Sequence, residues 1–274
     1  MSARRDLAAW LRRLAAPLLV LALAGCSASV LPSVHSEPER LELAKRMARK
    51  HDWTSAIELL KTYIDRNAGS ATVDEAIYLL GECYLGAKDY PNAAVEFERL
   101  QRDYPESDSS AAASYRMGEA MFGQSRPPDF DQEFTTKALE QWERYRRDFP
   151  DHWLVPEAGR RIAICRSRLA AKLVETGELY LKLRQVEPAQ VYFRKVEDEF
   201  GDTPEVGDAL IGLARCEGLL GHKAEAVAML KDLETRFSGQ PLGTRAARER
   251  VRIERMKALR STGEAHRIPD TPPP

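Results

Sequence analysis

The stretch VDEAIYLLGECYLGAKDYPNAAVEFERLQRDYP, residues 73–105, decides the fold of this chain. Apolar residues recur at three- and four-residue steps at Ile77, Leu80 and Tyr84, which is typical of one amphipathic helix. A polar break follows, and a second apolar stripe of the same period comes after it. The second helix must end near Pro105, because proline cannot continue a helix and disfavours helical dihedrals in the residue before it. The stretch therefore predicts two helices joined by a short turn.

Small and aromatic residues in this stretch occupy the positions that define a tetratricopeptide repeat, a helix–turn–helix unit of roughly 34 residues. The residues concerned are Gly81, Tyr84, Ala93, Phe97 and Pro105. Glycine inside a helix costs about 1 kcal/mol relative to alanine. We therefore expect Gly81 to lie in close contact with a partner helix.

The same small–small–aromatic order recurs along the chain. The small residues that open the second helix of each repeat are Ala56, Ala93, Ala138, Ala189 and Ala226. Stacked units of this kind bury a continuous core between neighbours. We expect an all-α fold, a right-handed superhelix of about five tetratricopeptide-like helical hairpins.

Two irregularities interrupt the repeats. The third repeat contains an insertion with paired Pro127 and Pro128, which must form a loop because prolines end the preceding helix. Such a loop either carries contacts or is a plain surface excursion. Between Gly159 and the small residue of the fourth repeat, the chain contains neither proline nor glycine. This stretch predicts one long helix over residues 157–184.

The two ends of the chain differ in composition from the repeats. An arginine-rich helix is predicted over residues 244–260 and would cap the stack with a polar outer face. Its charge fits either a solvated face or contact with an acidic partner or anionic lipid. Residues 261–274 end in three prolines, and we expect them to be disordered.

Arginines followed by an apolar run mark the N-terminus as an export signal. The run at residues 14–23 is too short to span a bilayer. It ends in Leu-Ala-Gly-Cys at Cys26, which resembles the bacterial lipobox, whose cysteine is acylated. By that resemblance, Ser27 favours retention at the outer membrane. We expect a signal peptide at 1–25, a tether at 26–36 and a repeat domain at 37–260.

The composition and motifs exclude several function classes. Apolar residues make up 43% and charged residues 30% of the chain, and the formal net charge is −1, so no basic face for nucleic acid is indicated. Cys83, Cys165 and Cys216 are expected to be small buried side chains. No zinc, nucleophile-elbow or phosphate-loop motif is present. We therefore expect no enzyme, no cofactor and no metal.

The first helix of each repeat lines the concave side of a tetratricopeptide stack. The residues that fall on this side in the second and third repeats are Tyr78, Glu82, Leu85, Tyr115, Glu119 and Phe122. Aromatic rings beside carboxylates suit an extended peptide, so these residues are the candidate peptide groove. The alternative is that the two tyrosines only pack between neighbouring repeats.

The order of features along the chain resembles that of the BamD family, the lipoprotein subunits of the outer-membrane β-barrel assembly machine. The features are the lipobox, the repeats, an insertion of the form PP-x-x-D-Q-x-x-T at residues 127–135 and the sequence ICRSRLA at residues 164–170. The resemblance implies a non-enzymatic scaffold, lipid-anchored at the periplasmic face of the outer membrane. It also implies that this scaffold binds BamA, a β-barrel protein with POTRA domains, and unfolded outer-membrane proteins.

The resemblance also implies docking onto BamA through the C-terminal half. Our alignment places Tyr192 where the family tends to carry an arginine, with Arg194 and Lys195 as the nearest cations. These three are the expected partner-docking residues. The alternative is another periplasmic tetratricopeptide lipoprotein that serves cell-wall synthesis or Tol–Pal-linked division.

Overall fold

The structure, a computed structural model, describes residues 35–255. Regular secondary structure in this range is α-helical throughout, which confirms the predicted all-α fold. The chain divides into two compact units with the boundary between Ala87 and Lys88. Cys26, the signal peptide, most of the tether and the C-terminal tail lie outside the described residues.

Within residues 35–87, the N-terminal unit has three helices, each packed against the next. Their bounds are Glu37–Arg49 (α1), Trp53–Arg66 (α2) and Val73–Gly86 (α3). Asp52 caps α2, because its side-chain oxygen accepts a hydrogen bond from the backbone N–H of Ser55 at 3.2 Å. Ala56 and Leu60, which the repeat pattern places on the inner side of α2, are fully buried.

Within residues 88–255, the second unit also consists of helices that each pack against the next. The bounds are Tyr90–Asp103 (α4), Ser110–Gly123 (α5), Glu133–Asp148 (α6), Val155–Lys182 (α7), Val186–Phe200 (α8), Val206–Leu220 (α9), Lys223–Arg236 (α10) and Pro241–Arg255 (α11). The third repeat is therefore α5–α6, the fourth α7–α8 and the fifth α9–α10.

The turn before the second helix of a repeat uses the same backbone conformation in several hairpins. His51, Lys88 and Arg184 have φ near +60°, and Gly221 has φ +95°. Side chains with a Cβ adopt this left-handed region rarely. This conformation recurs at one place in the repeat with different residue types. The tight reversal of the chain therefore requires it, and local residue preference does not.

Three clusters of buried side chains lie in the core of the second unit between α5 and α11. The first is built around Trp142 between α5, α6 and α7, the second around Phe193 between α7, α8 and α9, and the third around Leu230 between α9, α10 and α11. All three side chains are fully buried. Each cluster is closed by the first helix of the following repeat or by α11, which is how a repeat buries a face it cannot bury alone.

The two irregularities of the sequence are confirmed, and one boundary differs. Helix α7 is a single 28-residue helix over Val155–Lys182, close to the predicted 157–184. The insertion forms a loop between α5 and α6. Helix α11 begins at Pro241 rather than at residue 244, because proline is tolerated in the first turn of a helix, where its missing N–H is not needed.

Candidate protein-interaction surfaces

Helix α3 presents Tyr78, Glu82 and Leu85 on one face, because they are separated by four and three residues. All three side chains are half-buried, whereas Ile77 and Leu80 beside them are buried in the core. The α3 face therefore has the partial exposure that a contact surface needs. Peptide binding there stays a prediction.

Tyr115 does not belong to an exposed groove. Only 2% of its surface is exposed. Its ring lies 5.7 Å from the ring of Tyr145 and 6.2 Å from that of Trp142. Burial, followed by the charge of Glu119, raises the pKa of its hydroxyl. This burial favours the alternative that Tyr115 packs in the core of the third repeat, and contact of Tyr115 with a peptide stays a prediction.

Glu119 is half-buried and already paired with cations. One of its carboxylate oxygens accepts a hydrogen bond from Arg116 on the same helix. The other lies 3.3 Å from the guanidinium of Arg161, which comes from α7. Glu119 therefore joins α5 to α7, and its charge is already compensated within the second unit.

Phe122 is half-buried at the end of α5, under the guanidinium of Arg168 from α7. The guanidinium carbon lies 4.5 Å from the ring centroid, which is a cation–π contact. Arg168 also donates a hydrogen bond to the hydroxyl of Ser125, and the ammonium of Lys172 donates to the carbonyl of Asp129 at 3.0 Å. Two basic side chains of α7 thus fasten the insertion loop.

The insertion loop is organised by one buried amide. Gln132 donates to the backbone carbonyls of Arg126, Pro127 and Phe130 at 2.8–3.2 Å and accepts from the hydroxyl of Thr135 at 2.7 Å. These bonds satisfy backbone carbonyls of the loop, which accept no hydrogen bond within a helix. The loop is therefore an ordered part of the third repeat, which the paired prolines alone did not indicate.

The fourth repeat presents two tyrosines instead of burying them. Tyr180 on α7 and Tyr192 on α8 stack with ring centroids 5.3 Å apart and planes 15° apart, and both are half-buried. Arg194 and Lys195 follow on α8 and are exposed. All three predicted docking residues, including Tyr192, therefore reach the surface of one helix.

Three large apolar side chains of the same hairpin are exposed and were not predicted as site residues. Leu179 is 54% exposed, Leu183 58% and Val191 65%. We call Leu179, Leu183, Val191 and Tyr192 the hairpin patch. The four-residue spacing of the two leucines is a visible signal in the sequence, because buried Gly177 and Leu181 on the same helix already account for its core-facing side.

The other reactive groups considered among the described residues are three buried cysteines and one cluster of possible metal ligands. Cys83, Cys165 and Cys216 are free and buried, as predicted, and burial raises the pKa of each thiol to about 12. Glu217, His222 and Glu225 bring ligand atoms within 4.8 Å of one another, which is a geometry that could hold a metal ion. They are partly to fully exposed, and exposed groups of this kind are common without a metal.

No helix within residues 35–255 is both long and apolar enough to cross a membrane.

Comparisons with known proteins locate the chain in a family. The model of the YfiO family, described as an outer membrane lipoprotein, matches residues 82–233, and a tetratricopeptide repeat model matches residues 41–108. The outer membrane protein assembly factor BamD of Caulobacter vibrioides is 25% identical over 219 residues, which cover 78% of this chain and 72% of that protein.

Solved structures of tetratricopeptide proteins also show similarity. A repeat protein of Bacteroides fragilis is 13% identical, with a TM-score of 0.39, and the match covers 81% of this chain and 85% of that one. PilW, a type IV pilus biogenesis factor, is 14% identical, with a TM-score of 0.37, and the match covers 78% of this chain and all of PilW.

The YfiO match spans more than half of the chain and includes the insertion loop and the whole of α7. Tetratricopeptide proteins of this family are interaction scaffolds and not enzymes. The chain belongs to the YfiO family of outer membrane lipoproteins.

Proposed function

We propose that this chain is a lipid-anchored scaffold of the outer-membrane β-barrel assembly machine. It lies at the periplasmic face of the outer membrane, held by an acylated Cys26 and the tether at 26–36. There it binds a BamA-like β-barrel protein with POTRA domains and unfolded outer-membrane proteins. The family and the name of the Caulobacter relative support an assembly role.

The exposed hairpin patch is the observation that carries this proposal. Three aliphatic side chains of this one hairpin are each more than half exposed, and they support a protein contact on the hairpin. The half-buried Tyr192 adds an aromatic anchor, a residue type enriched at interface cores. Arg194 and Lys195 add a cationic rim on the same helix. We therefore assign docking of the BamA-like partner to the hairpin patch.

The α3 face is the proposed contact for unfolded substrates. Tyr78 and Leu85 would contribute apolar contacts to an extended peptide, and Glu82 lies on the same half-buried face. In the third repeat, Phe122 stays a proposed contact, since its ring is half-buried. The carboxylate of Glu119 is already paired with Arg116 and Arg161, so a contribution of Glu119 to substrate binding would come through these two arginines.

The docking assignment is tested by copurifying the full chain with the POTRA-bearing barrel protein from detergent-solubilised membranes. Leu183→Glu and Val191→Glu each place a charge in the hairpin patch, and we expect at least a tenfold loss of affinity, or about 1.4 kcal/mol, for each. Leu220→Glu is the matched control, because Leu220 is a leucine 37% exposed at the end of α9. Equal partner recovery from all variants would overturn the assignment, and capture of cell-wall enzymes instead would favour the alternative scaffold.

The anchor is tested separately. We expect Cys26→Ser combined with Leu183→Glu, which weakens docking, to leave the outer-membrane fraction, because neither the lipid chains nor the barrel partner then holds the chain at the membrane. Retention of this double variant at the level of Leu183→Glu alone would contradict the anchor and leave the docking test unaffected.

A further inference from the structure

A cleft of about 540 Å³ lies between α7, α9 and α11. Its apolar lining is provided by Val174 of α7 and Ile211 of α9. The remaining lining residues are charged, and they come from all three helices. None of them belongs to the hairpin patch or to the α3 face.

The carboxylates in the wall of the cleft are all paired with arginines. Arg215 pairs with Glu178 and lies 3.6 Å from Glu249. Arg245 of α11 pairs with Asp208 of α9. Because each acidic group already has a cation against it, the carboxylates do not leave a negative surface for a basic ligand.

The arginines of α11, by contrast, are not all paired. Arg245, Arg248, Arg252 and Arg255 follow one another at steps of three, four and three residues and so form one stripe along the helix. Arg252 lies 3.3 Å from Glu249. Arg248 and Arg255 are exposed and have no ion pair among the residues that the structure describes, and the only side-chain bond of Arg248 goes to the carbonyl of Thr244 at 3.4 Å.

We propose that this cleft binds an acidic peptide segment of a partner protein. The segment lies extended along α11, places one carboxylate on Arg248 in the cleft and one on Arg255, which is on the same stripe outside the cleft lining, and lays an apolar side chain over Val174 and Ile211. The planar guanidinium forks of the two arginines match carboxylates in a bidentate geometry. Two features favour an acidic peptide as the ligand. One is the positive charge of the arginine stripe on α11, and the other is the apolar lining between the ion-paired residues of the cleft walls.

The spacing of the two arginines predicts the spacing of the acids. Seven residues of α-helix separate Arg248 from Arg255 by roughly 10 Å along the axis. In an extended polyproline-like chain, side chains three residues apart lie on the same side at roughly 9 Å. The proposed ligand therefore has two acidic residues at positions i and i+3 with an apolar residue between them.

The shape of the cleft favours a peptide over an anionic lipid surface. The cleft is concave, and its apolar lining at Val174 and Ile211 can be reached by a peptide side chain but not by a flat layer of phosphate groups. A peptide places its carboxylates only where the arginines are. This inference is independent of the docking proposed for the hairpin patch.

The test is a fluorescence-anisotropy titration of the full chain with the labelled peptide GSELPELSGSGS, whose glutamates are three residues apart. We expect binding that weakens as salt is raised, since exposed charges are screened within about 10 Å at 0.1 M salt. The glutamine version, GSQLPQLSGSGS, should bind at least tenfold more weakly.

The double variant Arg248→Gln/Arg255→Gln should lose at least tenfold in affinity for the acidic peptide. The matched control is Arg144→Gln/Arg147→Gln, which removes two exposed arginines three residues apart on α6 that also lack an ion pair within residues 35–255. The control should bind within twofold of the wild type. All four substitutions are at exposed positions, so thermal unfolding should be unchanged.

Two results would overturn the proposal. One is equal binding of the acidic peptide to the wild type and to Arg248→Gln/Arg255→Gln. The other is binding to vesicles of phosphatidylglycerol and phosphatidylethanolamine that depends on the two arginines, in the absence of peptide binding, which would assign the stripe to lipid.

Discussion

The third and fourth helical hairpins use aromatic side chains in opposite ways. In α5–α6, Tyr115, Trp142 and Tyr145 are closed off from solvent, and side chains of α7 complete their cluster. In α7–α8, Tyr180 and Tyr192 stack on each other and both stay half-buried. One helix–turn–helix architecture can therefore bury its rings for stability or keep them available for a partner, and the packing of the next helix decides which.

The largest effect is expected on the buried side of this comparison. Trp142 is fully buried and its indole N–H donates to the carbonyl of Tyr115 at 3.1 Å. Trp142→Ala should lower the free energy of unfolding by about 3–5 kcal/mol in urea denaturation. Trp153→Ala is the control, because that ring is 77% exposed, and a change within about 0.5 kcal/mol is expected. Similar losses for both tryptophans would contradict the assignment of Trp142 to the core.

A second contrast uses two helical glycines. A Cβ on Gly118 would lie 2.5 Å from Nε1 of Trp142, so Gly118→Ala should destabilise by about 1–3 kcal/mol through overpacking. A Cβ on Gly159 of α7 would meet nothing within 4 Å, so Gly159→Ala should stabilise by about 0.5–1 kcal/mol through helix propensity. Thermal and urea unfolding of both variants measure the difference. If Gly118→Ala were also stabilising, the close approach of α5 to the Trp142 ring would be refuted.

A smaller effect is expected at His222, an exposed residue just after the end of α9. The hydrogen bond to Glu217, at 2.7 Å, raises the pKa of His222 above its ordinary value near 6.5. A raised pKa in the folded state stabilises the protein below the unfolded pKa, and this stabilisation is lost as pH rises through the folded pKa. The stability difference between wild type and His222→Gln should therefore be larger at about pH 5.5 than at about pH 8.5. In a Glu217→Gln background the pH dependence should shrink, with the remainder due to the charge of Glu225, and an unchanged pH dependence there would remove Glu217 as the main cause.

The smallest effect is expected at the hairpin patch itself. Val191→Ser replaces a side chain that is 65% exposed, so the free energy of unfolding should change by no more than about 0.5 kcal/mol. The equivalent change at buried Val196 on the same helix, Val196→Ser, should cost about 1–3 kcal/mol, because it also buries an unpaired hydroxyl. Urea denaturation of the two variants separates surface from core. Equal costs would show that the patch is part of the core.

The sequence predicted the helices and their small contact positions correctly. Ala138, Ala189 and Ala226 are all fully buried, and the long fourth-repeat helix begins and ends within two residues of its predicted bounds. These features depend on local periodicity and on proline and glycine positions. Such signals lie within one or two turns of the residues that they describe.

The site residues were harder to predict, because periodicity assigns a residue to a helix face without showing what covers that face. Tyr115 fits the groove pattern, yet it is sealed by a cluster that includes Ile162 of α7. Glu119 is neutralised by Arg161 from the same distant helix. Leu179 fits a core stripe equally well, and only the packed structure shows that no described helix covers it.

The central claim is that the chain is a scaffold whose exposed α7–α8 hairpin binds the POTRA-bearing barrel protein. Site-specific photocrosslinking in intact cells, from a probe at Val191, tests it most directly, with a probe at exposed Glu98 of α4 as the control. We expect a crosslink from position 191 to the BamA-like protein and none from position 98. A crosslink from position 98 alone, or no crosslink to that protein from position 191, would contradict it.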